Sequence, residues 1–186
     1  AMDVILKGKK VLELWSTCYH QQRELIFNSG TENRWEFDRK LLFEQTNYTA
    51  KICHDLFTVA EVLGQFQKFL GPRLKEVTKD IKEIDSLTDK VEQLKKPLEN
   101  LPFNIFDRRY NASWEQMMKS FWEKVVEIEE RSKTLINTSF QKLRSAEGAF
   151  NLLLDFKNIE SRKSIQEQMM RKFSDILIQF GNEIDF

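Results

Sequence analysis

Residues 74–101 read LKEVTKDIKEIDSLTDKVEQLKKPLENL. Leu74, Val77, Ile81, Ile84, Leu87, Val91, Leu94, Leu98 and Leu101 follow one another at steps of three or four. Such steps return to one face of an α-helix. The positions between them are mostly charged or polar, and no Gly or Pro interrupts before Pro97. The pattern predicts a single helix from Pro72 to about Lys96, ~37 Å long at ~1.5 Å per residue. From Ile81 through Ile84 to Leu87 two steps of three succeed each other, a stammer that overwinds the seam locally. A rod of this kind needs neighbours along its whole length to bury its stripe, so the stretch predicts an extended surface rather than a pocket.

The segments on either side extend the helical pattern. Gly71-Pro72 closes one helix and opens the next, because proline at a first helical position loses nothing by lacking an N–H. Upstream, a helix is expected from Trp35 to Phe69, with Leu42, Thr49, Ile52, Cys53, Leu56, Ala60, Leu63 and Phe66 on its buried side and Gly64 at a close helix contact. Before it, a first helix is expected from Asp3 to Phe27, with Val11, Leu14, Trp15, Cys18 and Leu25 inward, a kink at Gly8 and a stop at Asn28-Ser29-Gly30. Downstream, Pro97 to Asp107 reads as a loop. A fourth helix starts at Asp107 or at Ser113, where Ser113-x-x-Gln116 fits a capping box. It carries Trp114, Met117, Phe121, Val125, Ile128 and Leu135 inward. Ser145 to Phe156 is either its continuation or a fifth helix. A last helix spans Ser161 to Phe180, with Ile165, Met169, Phe173, Ile176 and Phe180 inward, and ends at Gly181-Asn182.

The fold class is therefore all-α: one or more elongated antiparallel helical bundles of about six helices. Residues 1–33 form an N-terminal helix leading into a bundle region at 34–186, either one continuous bundle or two stacked. Six glycines and three prolines in 186 residues favour long helices over a turn-rich β fold. Hydrophobic content of 41% and charged content of 31% exclude disorder and a membrane-embedded class. Lysine plus arginine and aspartate plus glutamate both number 29. That balance gives none of the basic excess that nucleic-acid binding calls for, and basic residues run no more than two together, as at Arg108-Arg109. It also argues against a membrane-surface helix bundle.

Cys18 and Cys53 lack framework spacing and read as free thiols in a reducing compartment. The N-x-S/T triplets at Asn47, Asn111 and Asn137 read as chance, two of them falling inside helices. Ala1-Met2 reads as a cloning remnant, and the chain as a piece of a longer protein. Pairs such as Glu92 with Lys96, Glu127 with Arg131, Glu129 with Lys133 and Glu167 with Arg171 sit four apart and predict solvated faces, each adding ~0.2–0.5 kcal/mol to its own helix.

No motif of catalytic chemistry is present: no phosphate-cradling glycine loop, no HExxH, no CxxC pair, no G-x-S-x-G. Cys18, His20, Cys53 and His54 would hold a metal only if two helices packed at one level, and the simpler reading is two buried thiols with two surface or edge histidines. Glu129-Glu130 and Glu76/Asp80 lie on polar faces where nothing separates their pKa values, as acid–base work requires. No catalytic residue, cofactor site or metal site is assigned. The aromatic residues are more telling. Most of the 15 Phe, 4 Trp and 3 Tyr serve a core. Met118, Trp122 and Val126, however, form a second apolar line beside Phe121, Val125 and Ile128. So wide an arc either contacts two neighbours or offers a face to a partner.

From Arg34 onward the order of short signals is specific. Trp35-Glu36-Phe37-Asp38-Arg39-Lys40-Leu41-Leu42-Phe43 leads an amphipathic helix, and Asp55-Leu56-Phe57-Thr58-Val59 follows. After the Gly71 break come the long apolar stripe, Pro97-Leu98 and Phe106-Asp107-x-x-Tyr110. Leu154-Asp155-Phe156 and an amphipathic helix through Ile165, Met169 and Phe173 close the series. This resembles the N-terminal tail region of dynein heavy chains over Arg34 to Asp185, departing from it in the basic Arg108-Arg109. The resemblance leans to an axonemal heavy chain. It implies a non-catalytic tail of stacked bundles in the cytoplasm and its cytoskeleton, in the ciliary axoneme. The implied partners are dynein intermediate and light-intermediate chains and another heavy-chain tail, with no nucleic acid, membrane or small-molecule substrate. The parent's ATPase ring and microtubule-binding stalk would lie downstream. The alternatives are an unrelated helical interaction or tethering module and a small helical enzyme.

Overall fold

The computed structural model describes residues 2–28, 39–102, 104, 107–143 and 145–184, and the side chains of these apart from 39–42, 146, 179, 183 and 184. It is all-α. The helices are α1 (Met2–Asn28), α2 (Arg39–Phe69), α3 (Pro72–Thr78), α4 (Ile81–Gln93), α5 (Lys96–Asn100), α6 (Asn111–Gln141), α7 (Ala146–Lys157) and α8 (Lys163–Ile184), with a 3₁₀ turn at Arg108–Tyr110 before α6. The chain divides into two compact units, Ala1–Glu61 with Pro102–Glu115 and Val62–Leu101 with Gln116–Phe186.

In the first unit α2 supplies the buried residues Phe43, Ala50, Ile52 and Val59, and α6 supplies Trp114. The Phe43 ring receives Trp15, Tyr19 and His20 of α1 at centroid distances of 5.9, 4.7 and 5.5 Å. A polar cluster joins α2 to the start of α6. Trp114 Nε1 donates to Asp55 Oδ2 at 2.9 Å, and Lys51 Nζ donates to Asp55 Oδ2 at 3.0 Å and Glu115 Oε1 at 2.9 Å. The Tyr48 hydroxyl lies 3.1 Å from both the Asn111 carbonyl and Glu115 Oε1, with a single proton to share between them. Tyr48 meets Asn111 and Lys51 meets Glu115, so the two helix segments run in the same direction here.

In the second unit the core is continuous across six helices. Phe66, Phe69, Leu74, Ile84, Leu87, Ile136, Phe156 and Ile165 are fully buried, and each such side chain contributes about 1.5–3 kcal/mol of burial. Helices α4 and α6 are antiparallel. Glu83 pairs with Arg131 and Lys90 with Glu127, so rising numbers in one meet falling numbers in the other. Helix α7 packs on α8 and α3, and its Phe156 stacks on Phe140 of α6. Arg162 binds the second unit together. It pairs with Glu129 of α6, donates from Nη1 to Gln65 Oε1 of α2 at 3.0 Å, and lies over the Phe66 ring.

The structure corrects the expected single rod. The helix breaks after Thr78, Lys79 takes the left-handed conformation at φ 57°, and α4 restarts with Asp80 as its N-cap. Asp80 Oδ1 accepts from Glu83 N, and Thr78 Oγ1 accepts from Asp80 N. Polar side chains that satisfy freed backbone groups stabilise such an end. The break re-aims the stripe: Thr78 is buried, Val77 is half-buried and Ile81 is 55% exposed. The expected loop after Pro97 begins with α5, where Pro97 sits in the first turn and its missing N–H has no consequence.

Other boundaries shift as well. Asp107, not Ser113, caps the 3₁₀ turn that leads into α6, accepting from Arg109 N. The segment after Gln141 is a separate helix, α7, capped by Ser145 Oγ accepting from Gly148 N at 3.1 Å. Helix α8 runs on through Gly181 to Ile184 and begins at Lys163, and Phe180 is exposed. No atom lies within 4 Å of where a Cβ on Gly64 would sit, so no close helix contact explains that glycine, and α1 passes through Gly8 unbroken. On α2 the buried side is Ile52, Val59, Val62, Phe66 and Phe69; Thr49, Cys53, Leu56, Ala60 and Leu63 are half-buried. The expected start of α2 at Trp35, the stop at Ser29-Gly30 and the side chain of Leu42 lie outside what the structure describes.

Candidate partner-binding surface

On α6 the expected inward residues Trp114, Met117, Phe121, Val125, Ile128 and Leu135 are all buried. The second apolar line divides. Met118 is buried, while Trp122 is 37% and Val126 is 55% exposed. Trp122 is held by an edge-on contact with Phe121 at 5.5 Å. Met118, Trp122 and Val126 fall one helical turn apart, so the buried methionine anchors a ridge whose other two members face solvent. Lys119, Glu123, Lys124 and Glu127 are exposed around it, a mixed-charge rim about an aromatic centre.

Sequence reasoning missed a larger apolar face on α1. Val11, Leu14, Trp15, Cys18 and Leu25 were expected inward and are all exposed. The side of α1 toward α2 carries Ile5, Leu12, Ser16, Tyr19 and Arg23, which are half-buried. Of the three rings of α1 around Phe43, Tyr19 lies on this margin, while Trp15 and His20 are exposed. Met170, Leu177 and Phe180 leave a smaller exposed line on α8.

The remaining chemistry is structural. Burial, with the Glu115 hydrogen bond, pushes the Tyr48 hydroxyl up to about 12. Burial opposes the Lys51 charge, but hydrogen bonds to Glu115 and Asp55 outweigh it and raise its pKa. Burial also raises the Cys53 thiol. The Lys90 hydrogen bond holds Glu127 below the usual carboxylate range. The predicted pairs four residues apart are not the ones formed. Glu92 pairs with Lys95, Glu127 with Lys90, Arg131 with Glu83, Glu129 with Arg162, Lys133 with Glu130 and Glu167 with Lys163. Among the described residues no group of three or more His, Cys, Asp or Glu side chains could hold a metal ion, and no helix is long and apolar enough to cross a membrane. A trough of about 520 Å³ on α4, lined by Lys82, Asp85, Ser86, Asp89, Lys90 and Gln93, is open and polar.

A family model described as dynein heavy chain, N-terminal region 1, matches residues 1–186. The chain is 45% identical over 183 residues to the dynein-1-alpha heavy chain of the flagellar inner arm I1 complex of Chlamydomonas reinhardtii, covering 98% of this chain and 4% of that protein. It is 43% identical over 121 residues to human dynein axonemal heavy chain 10, covering 65% of this chain and 3% of that one. The gamma chain of the Chlamydomonas reinhardtii flagellar outer arm is 20% identical over 97% of this chain and 4% of its own length. The chain thus spans about one twenty-fifth of the curated relatives it matches. An unrelated helical module is set aside by these matches, and the chain belongs to the dynein heavy chain family as an N-terminal tail segment of the axonemal type.

Proposed function

We propose that this segment is a non-catalytic scaffold of a dynein heavy chain tail in the ciliary axoneme. It serves motor-complex assembly through heavy-chain association and through binding of intermediate and light-intermediate chains. The observation that carries the reading is the Trp122–Val126 ridge. An exposed tryptophan beside an exposed valine, seated on a buried methionine and ringed by both signs of charge, has the composition of an interface centre. Helices with buried cores on one side hold that ridge at a fixed place, so its mechanism is geometric. The parent's motor chemistry belongs to other parts of the heavy chain.

The test is size-exclusion chromatography of the chain at tens of micromolar with recombinant axonemal intermediate chain, and with light-intermediate chain. Co-elution of either with the wild type, lost in W122E/V126E, supports the reading. Separate elution of both from the wild type contradicts it.

A further inference from the structure

We propose that α3 is the movable arm of a two-position joint at Lys79-Asp80, folded off α4 in this structure and merged with it into one continuous helix in a second state. The sequence suits both positions. Leu74, Val77, Ile81 and Ile84 keep helical steps of three, four and three across the break, and no glycine or proline lies between Arg73 and Lys96. A stripe that runs on without a breaker is competent to continue as helix. The bent form carries two signs of that competence. Lys79 holds a left-handed conformation that residues with a long side chain seldom adopt, and Ile81, a member of the stripe, stays 55% exposed.

The bend is held by contacts that a continuous helix cannot make. Lys75 Nζ donates to Asp85 Oδ1 at 2.6 Å. Ten residues of unbroken helix would set these two ~15 Å apart along the axis, beyond the combined reach of their side chains. The pair is therefore a latch specific to the bent form. With its side chains 39% and 57% exposed it is a weak one. Asp80 Oδ1 accepts from Glu83 N, and Thr78 Oγ1 accepts from Asp80 N, both at 3.4 Å, which is long for a hydrogen bond. In a continuous helix the N–H groups of Asp80 and Glu83 would bond to the carbonyls of Glu76 and Lys79 instead. At the far end of α3, Gly71 is extended at φ −69° and ψ 179°, a second non-helical joint that can take up the swing. Straightening withdraws Leu74 and Thr78 from their buried places, so the bent form is the major one. The balance is set at Lys75, Lys79 and Asp80.

This joint goes beyond the proposed function and shares no residue with the Trp122–Val126 ridge. Double electron–electron resonance between spin labels at R73C and E92C, on a C18S/C53A background, tests it. Both labelled positions are exposed. They lie ~28 Å apart along an unbroken helix and several ångströms closer across a bend. With no other substitution the shorter distance should dominate. K75E/D80A reverses the latch charge and removes the cap, and should raise the population at the longer distance by about 10-fold. Adding K79G relieves the left-handed residue and weakens the continuous helix, and should bring that population down again by about 10-fold. One distance common to all three proteins, a long population indifferent to K79G, or a broad spread in K75E/D80A, which marks a melted α3, overturns the proposal. Intermediate-chain co-elution is read independently, so failure here leaves that reading standing.

Discussion

Arg131 and Glu83 sit on different helices and join them through two hydrogen bonds to one carboxylate oxygen, 3.0 Å from Nε and 2.6 Å from Nη2. Arg131 Nη2 also lies 3.2 Å from Ser86 Oγ. Both side chains are about one-third exposed, which keeps the gain modest. A double-mutant cycle with E83Q and R131M, measured by urea unfolding, should give a coupling of about 0.5–1 kcal/mol. The same cycle with E127Q and R131M, the pair that spacing within α6 suggests, should give less than about 0.3 kcal/mol.

The break at Lys79 predicts the sign of a substitution. An L-residue held at φ 57° is strained by about 1 kcal/mol. K79G should therefore leave stability unchanged or raise it by up to about 1 kcal/mol, less what glycine adds to unfolded-chain freedom. In an uninterrupted helix the same change would lower stability by about 1 kcal/mol. I81A at an exposed site should stay within about 0.5 kcal/mol, whereas L87A in the core should lose about 2–5 kcal/mol. Thermal or urea unfolding checks all three.

These contrasts show what periodicity carries and what it does not. Steps of three and four announced every long helix, and all six residues they placed inward on α6 are buried, although Ser132, Ile136 and Ser139 complete that face unnamed. They failed on α1. A stripe marks a face that wants cover, and Val11, Leu14, Cys18 and Leu25 stay exposed, with Trp15 touching Phe43 and otherwise open. The break at Lys79-Asp80 was hidden because the apolar spacing runs straight through it. Its marks, a Thr-x-Asp cap and a lysine in a glycine-like conformation, are ordinary residues in sequence. The charged groups were not legible as pairs, since a partner on a neighbouring helix displaces the weak neighbour four residues away, and Glu129, expected on a solvated face, is largely covered by its pairing with Arg162. On the candidate surface the sequence grouped Met118 with Trp122 and Val126; one turn of helix separates the buried anchor from the exposed ridge.

Arg162 is the second unit's most connected charge. Its side chain is 19% exposed and that of Glu129 is 13% exposed. R162M strands the carboxylate and should lower stability by about 3 kcal/mol, while R162M/E129M, which removes both charges, should recover most of that loss. Lysine lacks the second arm that reaches Gln65 and the flat face that lies over Phe66, so R162K should fall between wild type and R162M in the same unfolding measurement.

Tyr48 sets an alkaline limit. Its hydroxyl rises from 10.0 to about 12 on folding, chiefly through burial and then through Glu115. The folded chain holds this proton where the unfolded chain has lost it. The contribution is therefore whole below the ordinary value and declines as pH climbs from about 10 toward about 12. Ultraviolet absorbance of tyrosinate should show a late step near the top of that range that is absent in Y48F and moved to lower pH in E115Q. An unchanged titration in both variants would contradict the assignment.

The most direct measurement is the binding isotherm of an axonemal dynein intermediate chain on the wild-type chain and on W122E/V126E, with melting curves of both recorded alongside. Saturable binding to the wild type, weakened at least about 10-fold in the variant at an unchanged melting temperature, is the predicted result. Equal binding to both proteins, or no binding to the wild type, would contradict the claim that this ridge recruits a partner chain.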